Sequence, residues 1–133
     1  MGYMLDTNIV SDLIRRPQDR AATRMRDVGE AQVRTSIIVA AELRFGARKL
    51  ASARQTDRVE AVLGVLEVVP FAAPADAVYG EVGARLEHAG TPIGGNDLLI
   101  AAHALALGDT IVTDSVGEFG RVEGLKVVNW LRG

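Results

Sequence analysis

The stretch Tyr3-Met4-Leu5-Asp6-Thr7-Asn8-Ile9-Val10-Ser11-Asp12-Leu13-Ile14 decides the fold. Tyr3-Met4-Leu5 is a short apolar run, Asp6, Thr7 and Asn8 are all helix-capping types, and Ile9, Val10, Leu13 and Ile14 then recur at helical spacing. A strand that runs straight into a capped helix is the first half of a β-α unit, and the same grammar repeats along the chain. Pro17 suits the first turn of a second helix running to about Val28, and Ala31 to Arg34 reads as a strand closed by Thr35-Ser36. Val39, Leu43, Ala47 and Leu50 mark a helix from Ile37 to Leu50, and Val59, Val62, Leu63 and Leu66 mark another from Ala53 to Leu66. Glu67 to Phe71 is a third strand, and Pro74 opens a helix to about Ala89. After the loop Thr91-Pro92-Ile93-Gly94-Gly95, Asn96 is read as the cap of a helix from Asp97 to Leu107. That helix is apolar nearly all round, so it belongs at the centre, packed on a sheet whose last strands are Thr110 to Thr113 and Lys126 to Asn129. Strands alternating with helices predict an α/β fold: a parallel sheet with helices on both faces and ligand chemistry at the carboxyl ends of the strands.

With 133 residues, 14.2 kDa and 48% hydrophobic content, the chain is expected to form a single domain over residues 1–133. It contains no cysteine, which removes disulfides, thiolate metal sites and a cysteine nucleophile. No apolar run reaches the roughly 18 to 20 residues of a membrane span, and no signal-like layout opens the chain, so a soluble, unprocessed, cytoplasmic protein without membrane attachment is expected. Formal net charge is −2, but the charge is polarised: residues 15–58 carry eleven basic and five acidic side chains, and residues 59–133 carry four basic and ten acidic ones.

Asp6 stands where the first strand ends, Asp97 starts a buried helix, and Asp114 follows the apolar strand Thr110-Ile111-Val112-Thr113. Taken alone, each has an ordinary reading as a cap, a first-turn dipole partner or a turn residue. Glu42 differs, because it is the only charged residue between Thr35 and Leu43 in an otherwise apolar helix segment, where a carboxylate is costly unless something compensates it. Taken together, the acids point to one edge of the sheet. Two carboxylates about 4 Å apart repel by roughly 4 kcal/mol at an effective dielectric near 20. Gathered acids therefore call for protonation or a cation. An oxygen-only donor set without His or Cys suits Mg2+ or Mn2+, which hydrolytic phosphodiester chemistry uses to activate water.

Four segments in order carry a resemblance: Met4-Leu5-Asp6-Thr7-Asn8-Ile9; Ala41-Glu42-Leu43-Arg44-Phe45-Gly46; Ile93-Gly94-Gly95-Asn96-Asp97-Leu98-Leu99-Ile100-Ala101-Ala102; and Val112-Thr113-Asp114 through Glu118-Phe119-Gly120-Arg121-Val122. With the closing Gly124-Leu125-Lys126-Val127 and Trp130, the chain resembles the PIN-domain endoribonuclease toxins of the VapC family over nearly its whole length. The resemblance implies a three-layer fold whose five-stranded parallel sheet has the order 3-2-1-4-5. It further implies Mg2+-dependent cleavage of RNA, homodimerisation, and inhibition by a VapB-like antitoxin in a hetero-oligomer. It maps Asp6, Glu42 and Asp97 onto the three metal-site acids. Relatives often place a fourth acid where this chain has Ser115, which leaves Asp114 or Glu118 to supply it.

Thr7, Asn8 and Thr113 are candidates for orienting the site or a phosphate, with helix capping as the plainer role. The basic residues are thirteen Arg and two Lys. Guanidinium forks suit phosphate, so Arg15, Arg16, Arg44 and Arg48 are candidate RNA contacts, with Arg44 and Arg48 also placed to pair with an antitoxin tail. His103, in an apolar helix, reads as a core histidine, and Trp130, Phe45, Phe71 and Phe119 as packing. A Mg2+-dependent phosphatase is disfavoured because Asp6-Thr7-Asn8 lacks the second aspartate of a D-x-D site. A PIN-like module that binds RNA or protein without catalysis is the remaining alternative.

Overall fold

In the computed structural model, which describes residues 2–132, the opening stretch folds as read. Strand β1 spans Tyr3–Leu5 and helix α1 spans Thr7–Arg15, with Asp6 between them as N-cap, its carboxylate accepting the Thr7 N–H. The chain continues through α2 (Arg20–Val28), a 3-10 turn (Glu30–Gln32), β2 (Val33–Ser36), α3 (Ile37–Lys49), α4 (Ala53–Val65) and β3 (Glu67–Val69). It closes with α5 (Ala75–His88), α6 (Gly95–Leu107), β4 (Thr110–Val112), α7 (Val116–Phe119) and β5 (Val127–Val128). Among the described residues no helix is long and apolar enough to cross a membrane.

The five strands form one parallel sheet in the order β3-β2-β1-β4-β5, the order the resemblance implied. From β1 to β3 the chain steps one way across the sheet, and from β3 to β5 it steps the other way. Right-handed crossovers then place α1 to α4 on one face and α5 to α7 on the other. The packing follows suit, α1 touching α2, α3 and α4 while α5 lies along α6. Tyr3, Met4 and Leu5 pair with Val33, Arg34 and Thr35 on one side and with Thr110, Ile111 and Val112 on the other. The strand order reverses between β1 and β4, so the crevice at their carboxyl ends is the switch point where α/β sheets hold ligands.

Central strands covered on both faces must be apolar throughout, and Met4, Leu5, Ile111 and Val112 are all fully buried. In α6, Ile100, Ala101, Ala102, His103 and Ala104 are buried, and the small residues let neighbours approach closely. A Cβ at Gly83 of α5 would lie 3.1 Å from Leu98. His103 is satisfied within this core: its Nδ1 lies 2.8 Å from Ser36 Oγ, its ring meets Phe71 edge-on, and it bonds the Pro70 backbone.

Several boundaries differ from the sequence reading. The second helix begins at Arg20, because Pro17 lies in the turn that follows α1 rather than in the first helical turn. The second strand is Val33–Ser36 instead of Ala31 to Arg34, with Thr35 Oγ1 donating to the Leu5 carbonyl and Ser36 doubling as the N-cap of α3. The third strand stops at Val69, before Pro70, which has no N–H to offer a ladder. The α6 helix begins at Gly95 with Gly94 as its cap, which frees the Asn96 side chain for other work.

Candidate active site

Four elements bring carboxylates to the carboxyl end of β1. Asp6, only 3% exposed, is held on both oxygens: Oδ1 accepts the Thr7 N–H at 2.7 Å and Oδ2 accepts the Thr113 hydroxyl at 2.7 Å. The Thr113 oxygen in turn accepts the Ser115 N–H, so the turn after β4 is fixed against the turn after β1. Glu42 reaches in from α3, where its Oε1 accepts the Thr7 hydroxyl and its Oε2 accepts Asn96 Nδ2 at 3.1 Å. The carboxylate that looked costly on an apolar helix is thus compensated from α1 and α6. Asp97 enters from the first turn of α6 and hydrogen bonds Glu118 of α7.

The electrostatics record the crowding. Burial pushes the Asp6 carboxyl up, the Thr113 and Thr7 bonds oppose that, and the charges of Glu42 and Glu118 add to it. Asp97 is pushed up to about 7, first by burial, then by its hydrogen bond to Glu118 and the charges of Asp6, Glu118 and Glu42. Glu118 moves the other way, held down by the Asp97 bond, the Gly94 backbone N–H and the Arg121 guanidinium. The two carboxyls titrate as a pair, Asp97 displaced upward and Glu118 downward. Among the described residues no three of these side chains already gather their oxygens around a single point. Their oxygens are instead engaged by Thr7, Thr113 and Asn96, and by the bond between Asp97 and Glu118. An all-carboxylate set crowded enough to push one of its carboxyls up fits a hard divalent cation, which would offset the repulsion.

Asp6, Glu42, Asp97 and Glu118 are thus brought together, with Thr7, Thr113 and Asn8 beside them. Asp114 is not part of the group. Its Oδ1 accepts from Asn129 Nδ2 at 2.9 Å and from Arg132 Nε at 3.4 Å, which holds its carboxyl below the usual range, and only its backbone N–H faces inward, donating to Asn8 Oδ1. Arg44 lies outside the site, forked onto Glu60 of α4 at 2.9 Å on both nitrogens. Arg48 lies one turn farther along α3, exposed, and Arg16 pairs with Asp12. Two residues that sequence reasoning passed over belong with the site. Asn96 was taken for a cap, but the Gly94-Gly95 pair ahead of it already begins the helix. Arg121 donates to the Pro92 carbonyl at 2.9 Å and so ties the loop before Asp97 to the helix that carries Glu118.

Known proteins share this fold. The PIN domain profile matches residues 3–124. The chain is 38% identical over 132 residues to ribonuclease VapC2 of Rickettsia felis, covering 98% of both chains, and 33% identical over 131 residues to the tRNA(fMet)-specific endonuclease VapC of Salmonella typhimurium, again covering 98% of both. Among solved structures, VapBC2 of Rickettsia felis bound to a DNA fragment from its promoter superposes with a TM-score of 0.89 at 36% identity, covering 98% of this chain and 99% of that one.

Proposed function

Because the chain belongs to the PIN-domain family and, within it, to the VapC ribonucleases, we propose that Asp6, Glu42, Asp97 and Glu118 hold a divalent cation, Mg2+ or alternatively Mn2+, for hydrolysis of RNA phosphodiester bonds. The protein is an endoribonuclease, the toxin of a type II toxin–antitoxin pair that a VapB-like antitoxin neutralises. In this reading residues 1–133 act as one cytoplasmic PIN domain, as a homodimer when free and in a hetero-oligomer with the antitoxin.

The observation that carries the reading is the meeting of four carboxylates from four elements, with Asp97 keeping its proton up to about 7. A cation bound there would lower the pKa of a coordinated water and neutralise the phosphate under attack. The chain's own part is positioning. Thr113 and the Thr7 amide fix both oxygens of Asp6, and the Thr7 hydroxyl and Asn96 fix both oxygens of Glu42, so neither acid is free to rotate away. Arg121 fixes the loop that sets the distance between Asp97 and Glu118.

The test is incubation of the purified chain, freed of antitoxin, with total RNA in Mg2+, in Mn2+ and in chelator. Cleavage in either metal that stops in chelator, and stops again when the antitoxin is returned, is expected. Cleavage that ignores the chelator, or none on any RNA, overturns the reading.

A further inference from the structure

A surface cavity of about 360 Å³ lies outside the acid cluster, lined by Gln18, Asp19, Arg20, Thr23, Arg24, Trp130 and Arg132. Three of its seven residues are arginines and one is acidic. Arg20 and Arg24 stand one turn apart on α2, both exposed, and among the described residues neither makes an ion pair. Like charges at this spacing repel, and Arg20 occupies the positive end of its helix, whose cap Asp19 makes no side-chain bond to the exposed amides. Each of these terms is unfavourable until an anion arrives. Trp130 also lines the cavity and is only 2% exposed.

The cavity also connects to the acids. Arg132 on its rim holds Asp114, whose backbone N–H donates to Asn8, and the adjacent Thr113 donates to Asp6. The cavity rim and Asp6 thus stand at the two ends of one run of bonded residues. We propose that this cavity is a phosphate-binding subsite for the RNA strand, away from the bond that is cut. Arg20 and Arg24 supply the charge, and Trp130 supplies part of the wall. The inference rests on the ribonuclease reading for its ligand, but its test does not depend on cleavage.

Trp130 is the only tryptophan in the chain, so its emission reports the cavity directly. A single-stranded oligouridine titrated into the metal-free Asp97→Asn protein is expected to change that emission saturably. The change should vanish in Asp97→Asn carrying Arg20→Gln and Arg24→Gln, and persist with Arg54→Gln and Arg58→Gln, which remove the same charge from α4 outside the cavity. In the otherwise unaltered enzyme, Arg20→Gln/Arg24→Gln should raise KM about tenfold with kcat little changed, and flatten the salt dependence of binding by a slope of about 1.4, the share of two phosphate contacts on a single strand. Thermal melts of each variant confirm that it is folded. Emission that oligouridine leaves unmoved while the RNA binds, or an Arg20→Gln/Arg24→Gln protein that behaves like the α4 control, overturns the proposal. So does emission that responds to an acidic peptide and not to RNA, which would assign the cavity to a protein partner. Failure to cleave any RNA would count against the nuclease reading and leave the emission result standing on its own.

Discussion

At the scale of single residues, the division between Glu118 and Asp114 is the sharpest consequence of the geometry. Both are acids near the end of β4, but Glu118 is bonded to Asp97 while Asp114 is bonded to Asn129 and Arg132. Glu118→Gln is therefore expected to abolish metal-dependent cleavage. Asp114→Asn is expected to retain it and, as loss of an exposed pair, to leave stability nearly unchanged. Cleavage assays and urea melts on the two variants check this, and the reverse pattern would move the fourth acid to Asp114. The same carboxyl pair predicts a pH signature in the metal-free protein. The Asp97 pKa is raised in the fold from 3.8 to about 7, so its contribution to stability is full below 3.8 and is lost as pH rises through about 7. Tm measured in chelator should fall across that window and fall less in Asp97→Asn. Added Mg2+ should restore more Tm above pH 7 than below it, because the cation needs the deprotonated carboxyl. A Tm gain from Mg2+ that shrinks as pH rises would contradict the assignment.

At the scale of elements, the two ends of the sheet do different work. The carboxyl ends gather like charges for chemistry, whereas at the amino ends Arg34 of β2 forks onto Asp109 ahead of β4 at 2.8 and 2.9 Å, with Asp109 also accepting the Gly2 N–H. The Asp109 side chain is fully buried, so removing it leaves Arg34 without its partner. Asp109→Ala should cost about 3 kcal/mol in denaturant unfolding, the range for breaking a buried pair, while leaving cleavage by the folded fraction intact. This ion pair was not legible in the sequence, because its members are 75 residues apart and only the register of β2, β1 and β4 brings them together. What was legible had local causes. Asp6 was readable from the switch between an apolar run and capping residues, and Glu42 from its isolation on an apolar helix segment. The sheet order, Glu118 as a member of the cluster and the RNA chemistry came through the resemblance rather than through periodicity. Asn96 was misread because a residue beside a helix start is first taken for its cap. Its bond to Glu42, 54 residues away, exists only once α3 and α6 meet.

At the scale of the whole molecule, the polarised charge acquires a meaning that net charge hides. The basic stretch 15–58 includes α2, whose Arg20 and Arg24 line the cavity next to the C-terminal Trp130 and Arg132, while the acids converge at the switch point between β1 and β4. The fold thus keeps the guanidinium groups of α2 and the gathered acids on separate parts of the surface, a division that the net charge conceals. In the proposed function the gathered carboxylates take up a cation, and this uptake turns on RNA cleavage. Bound Mn2+ counted by electron paramagnetic resonance, in parallel with the cleavage rate along one titration, tests it most directly. The two curves should rise together in the unaltered chain, and both should be lost in Asp97→Asn. RNA cleavage before Mn2+ is bound, or undiminished cleavage by Asp97→Asn, would contradict the account.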